Sequence, residues 1–364
     1  MPNYRMKQFY FLFLFFTSVC FAQLTAPVEL QSYYNGVDFS NNGLDLFDDL
    51  AVQTASKHIN YITYTPGVWE ADKITDEDPS NSSNVLLIYG YDDNDGNYVT
   101  DRSRSKLLNG GTQGTDWNRE HTFPNSLGNP KLDASGTNVP PYADAHNLRP
   151  SDVKMNADRG NLKFATGSGN AKNISGNWYP GDEWKGDVAR IIMYMYLRYG
   201  TQCIPSYVSV GTTNSIDSNM INLLIDWNAE DPVSVTEDNR NDYHGNTSNT
   251  YAQGNRNPFI DNPYLATLIW GGTAAENRWN TLSSNEYSSL DFKMFPNPVS
   301  GNYLNIKTNQ VLKIGVYDVL GKLIMATKVD SNNSKIDVSQ LKKGIYLIKL
   351  DSNQRSITKK LIKQ

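Results

Sequence analysis

The sequence predicts an α+β body followed by a small all-β domain, and three observations carry that reading. The stretch "GDVARIIMYMYLRYG" at 186–200 has the apolar spacing of a long helix. The run "LLIYGY" at 86–91 is short, apolar and closed by turn residues, as expected of a buried strand. Past residue 292 the pattern changes to short segments rich in β-branched and aromatic residues, which suits a sandwich.

Taken in order, the chain opens on a predicted signal peptide, residues 1–22. Arg5 and Lys7 precede an apolar run from Phe9 to Val19, and Cys20-Phe21-Ala22 supplies a small-x-small cleavage site. The run is too short to span a bilayer comfortably, so export is expected. Only Cys203 then remains, which excludes an internal disulfide, and it is expected to be a small buried apolar residue. Residues 23–280 read as one mixed body. In its helix, Val188, Ile191, Ile192, Met195 and Tyr199 share a face and Asp187 sits in the first turn, with Arg198 in the last turn and Gly200 placed to end it. Met193, Tyr194 and Leu197 are apolar on other faces, so this helix should be central and buried. Residues 281–292 have the small polar composition of a linker. In 293–364, "YLNIKT", "LKIGVYDV", "KLIMATKV" and "IYLIKL" read as strands, with turns at "LGK" and "KKG".

Charge is uneven. Residues 291–364 hold 13 Lys/Arg against 5 Asp/Glu, and residues 1–290 hold 20 against 33. An acidic body argues against a broad basic surface for sequence-neutral nucleic-acid binding. Nucleic-acid chemistry here would have to rest on local cations and a metal ion.

The residues best suited to chemistry lie in two clusters. In "NREHTFPNSLGN" at 118–129, Arg119, Glu120 and His121 are adjacent. On a strand, neighbouring side chains point to opposite faces. At a strand end or an irregular turn Glu120 and His121 can converge, and with Pro124, Asn125 and Gly128 following, an irregular setting is expected. The second cluster is "DAHNLRPSDVKMNADRGNLKF" at 144–164. Pro150 and Ser151 look like the start of a helix with Ser151 or Asp152 as cap, which puts Asn156 and Arg159 on one face. A carboxylate, an amide oxygen and waters form the hard-oxygen set that suits Mg²⁺. A nearby neutral imidazole could take a proton from water. Phosphodiester hydrolysis needs such a base, and a cation against the developing charge.

On these motifs the chain resembles the bacterial endonuclease I family, secreted or periplasmic nucleases built on the ββα-metal, or His-Me finger, motif. The likeness rests on "NREHTFPNS" and "DAHNLRPSDVKMNADRGN". "YTPGVWEADKITDEDPSNSSNVLLIYGY", "GDVARIIMYMYLRY" and "QGNRNPFIDNP" extend it across most of residues 30–270. The resemblance implies that His121 is the general base and that Glu120 and Asn156 hold one Mg²⁺, for which Mn²⁺ or Ca²⁺ could substitute. It also implies an arginine on the product-side phosphate, with Arg149, Arg159 and Arg119 as candidates. The expected substrate is DNA, with RNA second, cut without strong sequence preference to leave 5′-phosphates. A monomer is expected. The tail, with "FPNPVSG", "VYDVLGKLI" and "LKKGIYLIKL", resembles the C-terminal sorting domain of the type IX secretion system, which would make that machinery a partner and place the protein outside the cell.

Other candidates carry less. His146 either orients the site or packs, and His58 and His244 read as surface or packing residues. Asp182, Glu183 and Asp187 read as helix-start anions. "DDNDGN" at 92–97 fails the EF-hand pattern, because Tyr91 occupies the first ligand position; a looser structural Ca²⁺ near Asp92–Asp95 stays as an expectation. Gln253, Asn255 and Arg256 could touch phosphates or form a plain loop. The absence of H-E-x-x-H nearly excludes a zinc protease. A non-enzymatic cell-surface adhesin is the alternative, and it would leave Glu120, His121 and Asn156 idle.

Overall fold

The computed structural model describes residues 24–279, 292–308, 311–318, 322–331, 333–352 and 356–364. The expected signal peptide and nearly all of the expected linker lie outside them. The chain divides into two compact units, Met1–Ser283 and Ser284–Gln364.

The first unit is built around the helix Lys185–Tyr199, whose residues from Gly186 to Leu197 are all buried. Gly200 ends it as expected, with φ 56° and its N–H bonded to Tyr196 O. Helices Gly43–Lys57 and Asn222–Glu230 pack on it. Gly186 lets the Asp231 backbone approach, since a Cβ there would lie 2.5 Å from Asp231 O. A central helix this buried must pair its charges. Arg190 accordingly meets Glu237 Oε1 at 2.6 Å, and Asp187 meets Arg149.

Three small antiparallel sheets border this helical core: Glu77–Asp78 with Asn81–Leu86 and Ser103–Ser105; Trp117–His121 with Leu148–Asp152; and Lys172–Ile174 with Asn177–Tyr179. The apolar run at 86–91 departs from expectation. Its strand ends at Leu86, and residues 87–90 form a buried turn. Tyr89 adopts φ 74°, and Gly90 lies so close to the 101–102 backbone that a Cβ would fall 2.1 Å from Asp101 O. The turn keeps its bonds to two neighbours, Leu87 N to Arg102 O and Ile88 N to Pro150 O, both 2.8 Å. The second of these anchors the strand Leu148–Asp152 from behind.

The second unit is the expected sandwich. One sheet runs Leu323–Val329, Leu312–Tyr317, Gly344–Asp351, Ser356–Lys363; the other runs Lys335–Asp337, Tyr303–Thr308, Phe292–Phe295. All pairs are antiparallel, and alternate residues such as Leu304, Ile306, Ile314, Val316, Ile348 and Leu350 make the core.

Candidate active site

Both clusters meet on one ribbon. Strand Trp117–His121 pairs antiparallel with Leu148–Asp152, setting Glu120 opposite Arg149 and His121 opposite Leu148. Asp152 then caps the helix Val153–Arg159 through its Oδ1, which accepts from Lys154 N at 2.7 Å and Met155 N at 2.9 Å. Its Oδ2 accepts from Arg104 Nη1 at 2.6 Å. The helix therefore follows the second strand without a gap, and of the two cap candidates, Ser151 and Asp152, the cap is Asp152.

Of the two settings, strand end and irregular turn, the structure has the strand end: Glu120 and His121 are the last two residues of the strand, and its alternation sends their side chains to opposite faces rather than together. The turn residues act only after His121, because Thr122 N continues the pairing by donating to Asn147 O.

On the helix-facing side, Asn156 Nδ2 donates to Asn118 Oδ1 at 2.7 Å and to Arg119 O at 3.3 Å. One turn on, Arg159 Nη1 lies 3.0 Å from Glu120 Oε1 and 3.1 Å from His121 O, while Nη2 donates to Thr122 O at 2.7 Å. Asn118, Glu120, Asn156 and Arg159 therefore share one face, as the three-residue spacing on the helix predicts. Glu120 is 2% exposed and also accepts from Tyr89 Oη at 3.0 Å. Burial pushes its pKa up to about 7, with Arg159 and then Tyr89 opposing.

On the other side, His121 Nε2 lies 2.9 Å from Tyr142 O. A carbonyl only accepts, so Nε2 carries the proton and Nδ1 keeps its lone pair. The ring stacks on Tyr64 at 5.7 Å and 18° and lies 4.5 Å from Tyr142. Burial first, and then the Arg119 and Arg159 cations, pull its pKa down to about 4 against the Tyr142 carbonyl and Asp133. The imidazole is neutral at ordinary pH. Arg119 lies over Tyr64 at 3.5 Å and Trp69 at 3.9 Å and donates to Tyr64 O and Thr65 Oγ1.

Arg149 is 1% exposed and bonded to Asp76 Oδ1 at 2.6 Å and Asp187 Oδ2 at 2.8 Å. Asp76 also holds Arg240, which donates to Ala145 O and Leu148 O at 2.7 and 2.8 Å and so fixes the start of the second strand. Eight of the ten arginines in 24–279 meet a carboxylate; Arg119 and Arg198 do not.

Several lesser readings change. His58, His146 and His244 are all buried and gather near Asp144: His58 Nδ1 is 3.9 Å from Asp144 Oδ2, and the His146 and His244 rings are 5.1 Å apart. Of the two readings of His58 and His244, surface or packing, packing holds. Gln253 and Asn255 are buried in the same network, bonding Asp144 and Tyr194, and Arg256 pairs with Asp261. These three are structural. Asp182 accepts from Gly169 N and Glu183 pairs with Arg102 just before the helix, whereas Asp187 stands in its first turn, as read from the sequence, and pairs with Arg149 as well. Asp92, Asp93 and Asp95 accept loop N–H groups. Cys203 is buried and free. Tyr89, Tyr142 and Arg240 escaped sequence reasoning. Tyr142 acts through its backbone carbonyl, which carries no side-chain signal, and the other two reach the site from distant chain.

Among the described residues no group of three or more His, Cys, Asp or Glu could hold a metal ion. The ribbon does offer a sparse oxygen pair. Among the described residues no hydrogen bond reaches Asn156 Oδ1 or Glu120 Oε2. One arginine does not offset the burial of Glu120, an electrostatic condition that a divalent cation relieves. The donor set fits Mg²⁺ rather than Zn²⁺.

Comparison with known proteins places these features. Residues 46–264 match the Endonuclease I family, and residues 293–364 match the Secretion system C-terminal sorting domain. The chain is 42% identical over 261 residues to "Extracellular ribonuclease" of Bacillus subtilis (strain 168), covering 68% of this chain and 82% of the relative. It is 41% identical over 213 residues to "Extracellular ribonuclease" of Bacillus amyloliquefaciens, covering 56% and 67%. The chain belongs to the endonuclease I family: it is a secreted nuclease, a phosphodiester hydrolase carried to the extracellular space or cell surface with a type IX sorting domain at its C-terminal end.

Proposed function

We propose that the protein is a divalent-metal-dependent endonuclease that hydrolyses DNA and RNA without strong sequence preference, using His121 as general base and one Mg²⁺ held by Glu120 and Asn156. The observation that carries the reading is the His121 Nε2 to Tyr142 O bond, which leaves Nδ1 as a lone-pair acceptor on a neutral ring. His121 accepts the proton of the attacking water at Nδ1, and Tyr142 O keeps the ring from turning. When bound, the metal ion supplies positive charge against the phosphorane and the leaving 3′-oxygen. Asn156 is oriented for its part because its nitrogen is fixed by Asn118 Oδ1 and Arg119 O, which leaves the oxygen for the metal.

Arg159 is the cation nearest Glu120. In this reading it neutralises the carboxylate and joins the strand to the helix, and Arg149 braces the second strand from inside. Arg119 is the arginine best placed to meet phosphate, since it shares the His121 face and no carboxylate claims it. The relatives, both named extracellular ribonucleases, favour RNA among the substrates, and the local cations suit a backbone-directed, sequence-neutral grip. The products expected carry 5′-phosphates. The protein is taken to act as a monomer, and the sorting domain to engage the type IX machinery.

The test is plasmid nicking and RNA cleavage by the full chain, with Mg²⁺ and with EDTA, beside His121→Ala. Cleavage that needs both the metal and His121 is expected. A folded wild-type protein that cleaves neither polymer would sink the reading and favour the adhesin.

A further inference from the structure

The Tyr142 carbonyl can hold His121 only if its own segment is rigid, and that segment has little secondary structure of its own. Its internal bonds are few: Ala143 N to Val139 O at 3.1 Å, Asp144 N to Pro141 O at 3.4 Å and Asn147 N to Asp144 O at 3.0 Å. What immobilises it is a side chain. Asp144, fully buried, accepts from His146 N at 2.9 Å, Gln253 Nε2 at 3.0 Å, Tyr194 Oη at 2.8 Å and Tyr199 Oη at 2.5 Å. Two of these donors stand on the central helix and one on the loop after residue 252. Gln253 grips the segment a second time, because its Oε1 accepts from Ala145 N at 2.6 Å. Burial alone would raise the pKa of Asp144, yet it lies below the usual carboxylate value, because His58, His146 and these donors favour the charged form.

The far end of the segment touches the same target. Asn147, also fully buried, accepts from Phe123 N at 2.7 Å and donates to Phe123 O at 3.1 Å, while its own carbonyl accepts from Thr122 N at 3.0 Å. Residues 142–147 thus meet His121 at its ring through Tyr142, and hold the two residues after it through Asn147. We propose that Asp144 is a positioning residue for His121: its carboxylate fixes the 142–147 segment and so aims the imidazole at the attacking water. The inference rests on the reading of His121 as the base.

An ionised carboxylate can accept four such bonds, and an amide cannot, because its nitrogen only donates. Asp144→Asn keeps the volume but loses acceptor capacity, which lets the carbonyl move. A misplacement of about 1 Å can cost about hundredfold in rate, so a smaller shift should cost between about tenfold and hundredfold. The expected result for the full chain is a fall in kcat within that range, with the substrate KM and the Mg²⁺ half-saturation unchanged. In the background of His121→Ala, the same substitution should have little further effect, because both act through one group. The ¹⁵N-resolved Nε2–H resonance of His121 should shift or broaden in Asp144→Asn. Tyr199→Phe, which removes one donor, serves as the milder variant if Asp144→Asn does not fold, and should lower kcat several-fold.

Undiminished kcat in folded Asp144→Asn, or an equal further loss in the background of His121→Ala, would overturn the inference while leaving the nuclease reading intact. A His121→Ala protein as active as wild type would overturn the base assignment and the inference together.

Discussion

Arg159 and Glu120 form a buried ion pair, Nη1 to Oε1 3.0 Å, between the helix that carries Asn156 and the strand that ends in His121. The same guanidinium bonds the carbonyls of His121 and Thr122, so one cation locks the candidate base, the candidate metal ligand and the helix together. Removing one partner of such a pair strands the other in low dielectric. Arg159→Met is expected to cost about 3 kcal/mol in denaturant unfolding, and to push the Glu120 pKa above its value of about 7. A variant as stable as wild type would show that the pair contributes nothing net.

As the proposed base, His121 should set the acid limit of activity at saturating Mg²⁺. Its pKa lies near 4, so it is neutral above that value and loses its accepting lone pair as the pH falls through it. Arg119 is one of the groups holding the pKa down. Arg119→Met should therefore move the acid limb of kcat/KM upward, toward the ordinary histidine value of about 6.5. A limb that stays in place would remove Arg119 from the electrostatics of the base.

Metal affinity should follow Glu120. Its charged form gains population as pH rises through about 7, so the half-saturating Mg²⁺ concentration should climb as pH falls below that point. Asn156→Ala should raise it by about tenfold or more, while His121→Ala should leave it unchanged. Calorimetric titration of the folded proteins checks all three. Equal binding by Asn156→Ala and wild type would exclude Asn156 as a ligand.

Binding should depend only mildly on salt. Each phosphate neutralised on duplex DNA contributes a slope of about −0.9 in log K against log salt. Most arginines of the body are already held by carboxylates, so few phosphates can be met and a slope of about −2 to −3 follows. A slope near −8 would point to a basic surface that the arginine pairing does not suggest.

Much of this was legible along the chain because the signal is local. The helix ending at Gly200, the cap at Asp152, the shared face of Asn156 and Arg159, and the strands of the tail all depend on periodicity or on residues a few positions apart. The run at 86–91 was less readable. Its apolar character reports burial, whereas its turn depends on Gly90 lying against Asp101, a contact that no local pattern encodes. His58, His146 and His244 looked unrelated because their grouping near Asp144 arises from distant segments.

By itself, the sequence determined the chemistry on offer: an imidazole, a carboxylate and an amide in two short motifs, an acidic body, and an exported architecture ending in a sorting domain. Only the tertiary structure decided which atoms are free to act. It put Glu120 and His121 on opposite faces of a strand, committed Arg149 to Asp76 and Asp187, and gave the His121 ring its tautomer through the carbonyl of Tyr142. The physical reason is that side-chain identity is written locally, whereas burial, pairing and the direction of a lone pair are set by whichever distant groups the fold brings alongside.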